Sequence, residues 1–369
     1  MTGAEGVCGG ISTHNKNVIR GLQNLARDLD LNLRVLSLHE SEADRPRYID
    51  KKYRFVGYQG NKYRFAGGVA LQAAIGSLVI VDHVTLALPA LPFAYCKMSR
   101  LVVFAHGSEA DDRMKSTSPT LFRLASRVLT NSHLTLRRLL LRVPEARAVV
   151  CSLGLSPNMP LRNDVQANGN QQLLLTACDG KERMIGDRSL LLVARMDSSE
   201  MEKGHDALIR ALPEIHSRFP TAQLIFPGPG DGREALLNLS HSLNVAHAVF
   251  IPGFVSDEML QDLYQHCFSF VMPSKQEGFG LVYLEAMNYG KACLGCYDDG
   301  AEEVIVPGET GVLVHDPSNS SELAGAVCYL LEDPARTAAF GYAGFRRLHD
   351  HFTATMHQQR VYENVAACL

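Results

Sequence analysis

The stretch "FSFVMPSKQEGFGLVYLEAMNYGKACLGC", residues 268–296, reads as a strand, a loop, a helix and a second strand in immediate succession. The first apolar run ends at Ser274. Helical periodicity begins near Leu281 and continues through Leu284, Glu285, Met287 and Asn288, before "ACLGC" (292–296) returns to a buried strand. Residues 275–280, "KQEGFG", are therefore a loop at the carboxyl end of a strand, the edge on which parallel sheets place their ligands. Gly278 and Gly280 permit backbone conformations closed to other residues, and the free N–H groups of the helical first turn suit a phosphate. On one continuous helix Glu277 and Glu285 would stand about 12 Å apart. A turn at the glycines folds Glu277 back over the helix start, so that one polyol can donate hydroxyl hydrogen bonds to both carboxylates. The plain alternative makes Glu277 a helix cap and Glu285 a solvated face residue.

The same alternation extends along the chain. "LRVLSL" (33–38), "SLVIVDH" (77–83), "RLVVFAHG" (100–107), "RVLTNS" (127–132) and "RAVVCSLG" (147–154) form one strand series. "LLLVARM" (190–196), "AQLIFPG" (222–228), "AVFIPGF" (248–254), "FSFVMPS" (268–274), "ACLGC" and "TGVLVHD" (310–316) form another. Helical stretches lie between them; "SDEMLQDLYQHC" opens with Ser256 as N-cap and two acids in its first turn. The expected architecture is α/β, with two Rossmann-like doubly wound domains facing across a cleft. Residues 1–154 form the first domain, the turn-rich segment 155–188 the connection and residues 189–337 the second domain.

Composition narrows the function. The 369 residues are 46% hydrophobic and 20% charged with a net charge of −3, which gives no electrostatic case for nucleic acid. No apolar run approaches the roughly 20 residues that span a bilayer, and no signal peptide opens the chain. The nine scattered cysteines, an odd number, argue against a disulfide framework and for a reducing cytoplasm. Cys293 and Cys296 are spaced as C-x-x-C, but on a strand they point to opposite faces and no second pair completes a zinc site.

From "GFVSDEML" through "GAEEVIVPGETGVLV" the chain resembles the carboxyl-terminal domain of family 4 retaining glycosyltransferases, which have the GT-B fold. The E-x7-E signature, the Gly-Phe-Gly inside it and "GAEEVIVPGETGVLV" match in order. The resemblance implies transfer of a hexose from a nucleotide-sugar donor, GDP-mannose or a UDP-hexose, to a glycan or lipid-linked acceptor with retained configuration. It gives Glu277 the donor sugar hydroxyls, Gly278, Phe279, Gly280 and Leu281 backbone contacts to sugar and phosphate, and Glu285 the ribose. "VARMDSSEMEKGHDALIRAL" resembles the element that brings Arg195 and Lys203 to the diphosphate, where cations offset the charge gained by the leaving group.

In the amino-terminal half, "GVCGGISTHNKNVIRGL" resembles the glycine-rich entry loop, with Gly9 and Gly10 at a diphosphate or acceptor. "VVFAHGSEA" resembles the His-Gly motif, which makes His106 a catalytic contact to donor sugar or acceptor and leaves Glu109 a weaker acceptor contact; a core histidine is the alternative. In "VLTNSHLT", Ser132 is read as a helix cap. No nucleophile is placed, and the implied front-face route lets the leaving phosphate take the acceptor's proton, without metal or other cofactor. The single Asp-x-Asp, Asp28-Leu29-Asp30, lies at the wrong sheet edge for a metal-diphosphate site.

The last helix, within 338–369, is expected to cross back onto the first domain. The family's first strand, before the Gly-Gly loop, is missing from the pattern: only "MTGAEGV" precedes Cys8. The sheet is then either opened at its centre or completed from upstream. Residues 44–65, "DRPRYIDKKYRFVGYQGNKYRF", interleave Arg and Lys with Tyr and Phe. They read either as a solvated loop or as peripheral contact with the inner face of the cytoplasmic membrane or a phosphate-bearing lipid acceptor. Three readings of activity stand: a glycosyltransferase, a nucleotide-sugar-binding protein without transfer, and a nucleotide-sugar epimerase.

Overall fold

The computed structural model describes residues 1–2, 10–107, 109–111, 114–165 and 173–369. Two compact units emerge, one of Met1–Pro160 with His351–Leu369, the other of Leu161–Asp350.

In the first unit the order is α1 (Gly10–Asp28), β1 (Arg34–Ser37), β2 (Arg54–Gly57), α2 (Lys62–Ala74), β3 (Leu78–Val81), α3 (Leu91–Tyr95), β4 (Arg100–Ala105), α4 (Ser118–Leu124), β5 (Arg127–Thr130), α5 (His133–Arg142) and β6 (Ala148–Val150). All pairings are parallel, in two sheets, β1-β2 and β3-β4-β5-β6. The described residues thus leave the sheet open at its centre, between β1 and β3. Met1 enters that opening, its amine donating to the Leu36 carbonyl at 2.9 Å and its carbonyl accepting from Leu38 N–H at 3.2 Å.

The second unit contains β7 (Leu174–Thr176), β8 (Glu182–Met184), β9 (Ser189–Leu191), α6 (His205–Arg218), β10 (Gln223–Pro227), α7 (Arg233–Ser242), β11 (Val249–Gly253), α8 (Asp257–His266), β12 (Ser269–Val271), α9 (Leu281–Asn288), β13 (Cys293–Cys296), α10 (Ala301–Val304), β14 (Gly311–Val314), α11 (Ser320–Glu332) and α12 (Pro334–His351). Its six parallel strands run in the order β11-β10-β9-β12-β13-β14. The chain steps outward from β9 through β11, then returns to lay β12 against the other side of β9. That reversal is the switch point of a doubly wound sheet. Helix starts follow the sequence signals: Ser256 Oγ accepts from Met259 N–H at 3.2 Å, with Asp257 and Glu258 in the first turn of α8.

The terminal helix α13 (Ala354–Ala366) belongs to the first unit, where Val361 and Val365 join Val18 and Leu25 of α1 over Val102, Phe104 and Leu129. The α1–α13 contact is close: a Cβ on Gly21 would lie 2.6 Å from the Gln358 carbonyl oxygen. The segment 338–369 is thus two helices, divided between the units at Asp350/His351.

Three segments differ from their sequence reading. The 44–65 stretch is not a plain loop: it holds β2, and Tyr53 and Phe55 are buried. Arg45 folds back there onto the Ile49 and Tyr53 carbonyls. Residues 155–188 carry the antiparallel β7–β8 hairpin, inside the second unit. Of "LLLVARM", only Leu190 and Leu191 lie in β9, and the last bond to β10 is from Leu192 N–H to the Ile225 carbonyl at 3.0 Å.

Candidate active site

The loops after β9 and β12, neighbours at the switch point, bring together residues that are far apart in sequence. Lys203 Nζ donates to Glu277 Oε1, and the two side chains are about four-fifths buried, at 20% and 18% exposure. Arg195, on the same loop as Lys203, pairs with Asp197 at 3.2 Å and is half exposed. Burial and the Lys203 charge push the adjacent His205 down to about 4, so it is neutral at physiological pH.

The "EGFG" turn is held by packing. Phe279 is buried, and Gly300 N–H donates to the Glu277 carbonyl at 2.9 Å. A Cβ on Gly300 would lie 2.3 Å from Phe279 N, so the backbone at 277–279 rests directly on the Gly300 turn. Gly280, the N-cap of α9, has φ 84°, and an added Cβ would meet the Tyr283 ring at 2.4 Å. Both space and conformation therefore demand glycine there. No side chain caps α9 and no acid lies in its first turn, so Leu281 opens a helix end suited to an anion.

Neither plain alternative for the glutamates survives. Glu277 is an ion-pair partner outside the helix, and Glu285 is only partly exposed, accepting from Tyr264 Oη at 2.9 Å. Burial raises Glu285 to about 7 against the opposing effect of that hydrogen bond. Sequence reading missed Asp299, which is buried; one carboxylate oxygen accepts from Gly300 N–H at 2.6 Å while Oδ2 is without a partner among the described residues. Burial, then the nearby Glu277 charge, pushes Asp299 up to about 8. It also missed "GPG" (228–230), where a Cβ on Gly228 would lie 2.0 Å from the Ala194 carbonyl oxygen, tying the loop after β10 to the Arg195 segment. The strand-end position of both turns was the available signal.

In the first unit His106 follows β4. Its Nε2 lies 2.8 Å from the Asp82 carbonyl oxygen and so carries the proton, and its own carbonyl accepts from Asn131 Nδ2 at 3.0 Å. Its ring meets that of His14 edge-on at 4.6 Å between centroids. Glu109 is buried, accepts from the His106 N–H at 3.2 Å and lies 3.4 Å from His83 Nε2. Its observed contacts thus support the His106 turn. Gly10 is the exposed first residue of α1, whereas Gly9 lies outside the described residues. Ser132 caps α5, accepting from Thr135 N–H at 3.2 Å.

Residues 186–347 match the family model of glycosyl transferases group 1. That span covers most of the second unit and contains Arg195, Lys203, Glu277 and Glu285. The GDP-mannose-dependent alpha-(1-6)-phosphatidylinositol monomannoside mannosyltransferase of Mycolicibacterium smegmatis is 35% identical over 181 residues, which are 45% of this chain and 46% of that protein. The chain therefore spans less than half the length of this curated relative. Among solved structures, Anabaena Alr3699/HepE in complex with UDP and glucose superposes with a TM-score of 0.74 at 18% identity, over 99% of this chain and 98% of that one. Sucrose-phosphate synthase from Thermosynechococcus elongatus gives 0.72 at 18%, over 98% and 94%. These likenesses are of fold, and the fold is that of the GT-B glycosyltransferases.

Proposed function

We propose that this protein is a retaining glycosyltransferase that moves a hexose from a nucleotide-sugar donor to a glycan or lipid-linked acceptor without a metal ion. The observation that carries the reading is the Lys203–Glu277 pair at the switch point, beside the uncapped start of α9. Without donor, each charge answers the other. A bound diphosphate draws Lys203 and Arg195, and the donor sugar's hydroxyls donate to the carboxylate that Lys203 held. Glu285, held by Tyr264, accepts from the ribose. As the glycosidic bond breaks, negative charge grows on the β-phosphate, and the two cations with the α9 amides stabilise it more than they do the ground state. The departing phosphate accepts the acceptor hydroxyl's proton on the face where that hydroxyl attacks, so configuration is retained. His106 contacts sugar or acceptor.

GDP-mannose stands first among donors, because the mannosyltransferase relative is named for it; UDP-glucose is next, by likeness to the UDP-bound fold neighbour. Among the described residues no helix is long and apolar enough to cross a membrane, so a lipid-linked acceptor would be met at the bilayer surface. The test is transfer from GDP-mannose and UDP-hexoses after exhaustive chelation with EDTA. Full turnover is expected; loss restored by magnesium or manganese, or no transfer from any donor, overturns the reading.

A further inference from the structure

Asp299 lies directly before the turn that supports the "EGFG" loop, and the route outlined above gives it no task. It is buried, at 1% exposure. The Gly300 N–H donates to Asp299 Oδ1 at 2.6 Å and to the Glu277 carbonyl at 2.9 Å, so this carboxyl and the Glu277 peptide share one donor. Asp299 Oδ2 has no partner among the described residues. A buried carboxylate oxygen without a donor is costly, whereas the neutral acid carries no charge to solvate and has an O–H of its own.

The charged and titratable groups that face it come from four elements. Burial raises Asp299 most, and Glu277, on the loop after β12, raises it further; Lys203, on the loop after β9, acts in the opposite sense. Tyr283 faces it from α9 and Cys296 from β13. Burial keeps both of these neutral, holding the phenol well above its ordinary value and pushing the thiol up to about 12. In the free site Lys203 answers the Glu277 charge beside Asp299. A diphosphate that draws Lys203 to itself removes that balance and adds negative charge of its own. Like charges close together in a buried site raise one another's proton affinity.

We propose that Asp299 is a positioning residue of the donor site, which supports the Glu277 turn as a neutral acid, and that binding of a nucleoside diphosphate fixes a proton on it. The inference rests on the assignment of Lys203 and Glu277 to donor binding. The proton comes from solvent and ends on Oδ2, the oxygen without a partner, while Oδ1 keeps the Gly300 N–H; no other bond is made or broken. An ionised Asp299 would leave two carboxylates side by side once Lys203 turned to the phosphates, and their repulsion would push the Glu277 turn away from the sugar.

Calorimetric titration with UDP and GDP at pH 8.5, in two buffers of different ionisation enthalpy, counts the protons exchanged on binding. Asp299, at about 8, is then largely ionised in the free site. The nucleotide phosphates are ionised there too, as is Glu285 at about 7, so neither takes up the proton. The parent should take up about half a proton or more per nucleotide bound. Asp299→Asn should bind the same nucleotide and lose that uptake, a change that a merely structural side chain would not produce. Binding by the parent without proton uptake, or the same uptake in Asp299→Asn, overturns the role of Asp299 alone. If the parent binds neither UDP nor GDP, the donor-site reading fails and this inference with it. Should Asp299→Asn not fold, an infrared difference spectrum of the parent with and without UDP at pH 8.5 decides. Gain of a protonated-carboxyl band with loss of a carboxylate band supports the inference, and absence of that pair rejects it.

Discussion

Glu277 and Lys203 compete with substrate for each other, and that gives the pair a signed prediction. Lys203→Ala should weaken binding of a bare nucleoside diphosphate by at least tenfold. Glu277→Ala should leave that binding unchanged or tighter, because the lysine loses its internal partner, while transfer falls by a factor of about 100 or more. Calorimetric titration with GDP and UDP beside turnover separates the two; weaker diphosphate binding in Glu277→Ala would refute the division of roles. Asp299 offers a second test. An unfolded Asp titrates near 3.9 and this one at about 8, so the folded state binds the extra proton between those values. Its contribution to stability is full below about pH 4 and lost as pH rises through 8. Asp299→Asn mimics the protonated form, so its stability relative to the parent should increase between pH 5 and 8, by up to about 1.4 kcal/mol per pH unit. Denaturant titrations at both pH values measure this, and a parallel shift at the two would rule it out. The resemblance gave Lys203 and Glu277 their roles at the donor, but their direct pairing and Asp299 were not legible in sequence: Lys203 and Glu277 lie 74 positions apart, and only the strand order makes them neighbours. The Glu109 contact to His83 was hidden for the same reason, His83 arriving from another strand end.

Elements were legible where burial writes a pattern. β4, β10 and β13 are buried almost throughout, and their unbroken apolar runs announced them. β2 was hidden because only Phe55 is fully buried in it, and its flanking arginines and tyrosines read as a solvated stretch. The β7–β8 hairpin buries one residue of six, Leu175, and left no periodic signal for the same reason. The turn into α9 was read correctly from its glycines, and its strictness can be measured. Gly280→Ala imposes φ 84° on a Cβ-bearing residue and drives that Cβ into Tyr283, a ring that is fully buried and whose hydroxyl donates to the Met272 carbonyl at 2.6 Å. The expected cost is about 1–3 kcal/mol, with the donor-binding turn displaced. Gly278→Ala makes the control. Thermal unfolding with and without donor should show a lower Tm and a smaller ligand-induced shift for Gly280→Ala alone. Equal behaviour of the two variants would mean that the turn is not set by this residue.

At the scale of the whole chain, buried titratable groups give the two units opposite responses to acid. In the first unit His14 and His357 are buried, with all four ring nitrogens lacking partners among the described residues, and stack at 5.3 Å between centroids. Burial holds His14 well below its ordinary value, helped by His106, and pushes His357 down to about 3, helped by Arg360. Both stay neutral in the fold while the unfolded chain takes up protons below about 6.5. Stability from this source is thus complete above that pH and is lost as pH falls, by up to about 1.4 kcal/mol per unit for each ring. In the second unit the balance reverses. Glu285 and Asp299, raised to about 7 and about 8, favour the folded state as pH falls toward 4.5, and His205, lowered to about 4, offsets one of them. Acidification from pH 7.5 to 5 should therefore destabilise the first unit and spare the second. Hydrogen exchange read by mass spectrometry, with brief labelling at a common pH after incubation at each pH and moderate temperature, resolves the units by peptide. Peptides from β4 and β5 should open at pH 5 while those from β10 and β12 remain protected, and His357→Leu, which removes one buried imidazole, should narrow the difference. Simultaneous opening of both sets at pH 5, or earlier opening of β10 and β12, would show that groups outside these buried sites govern the acid response.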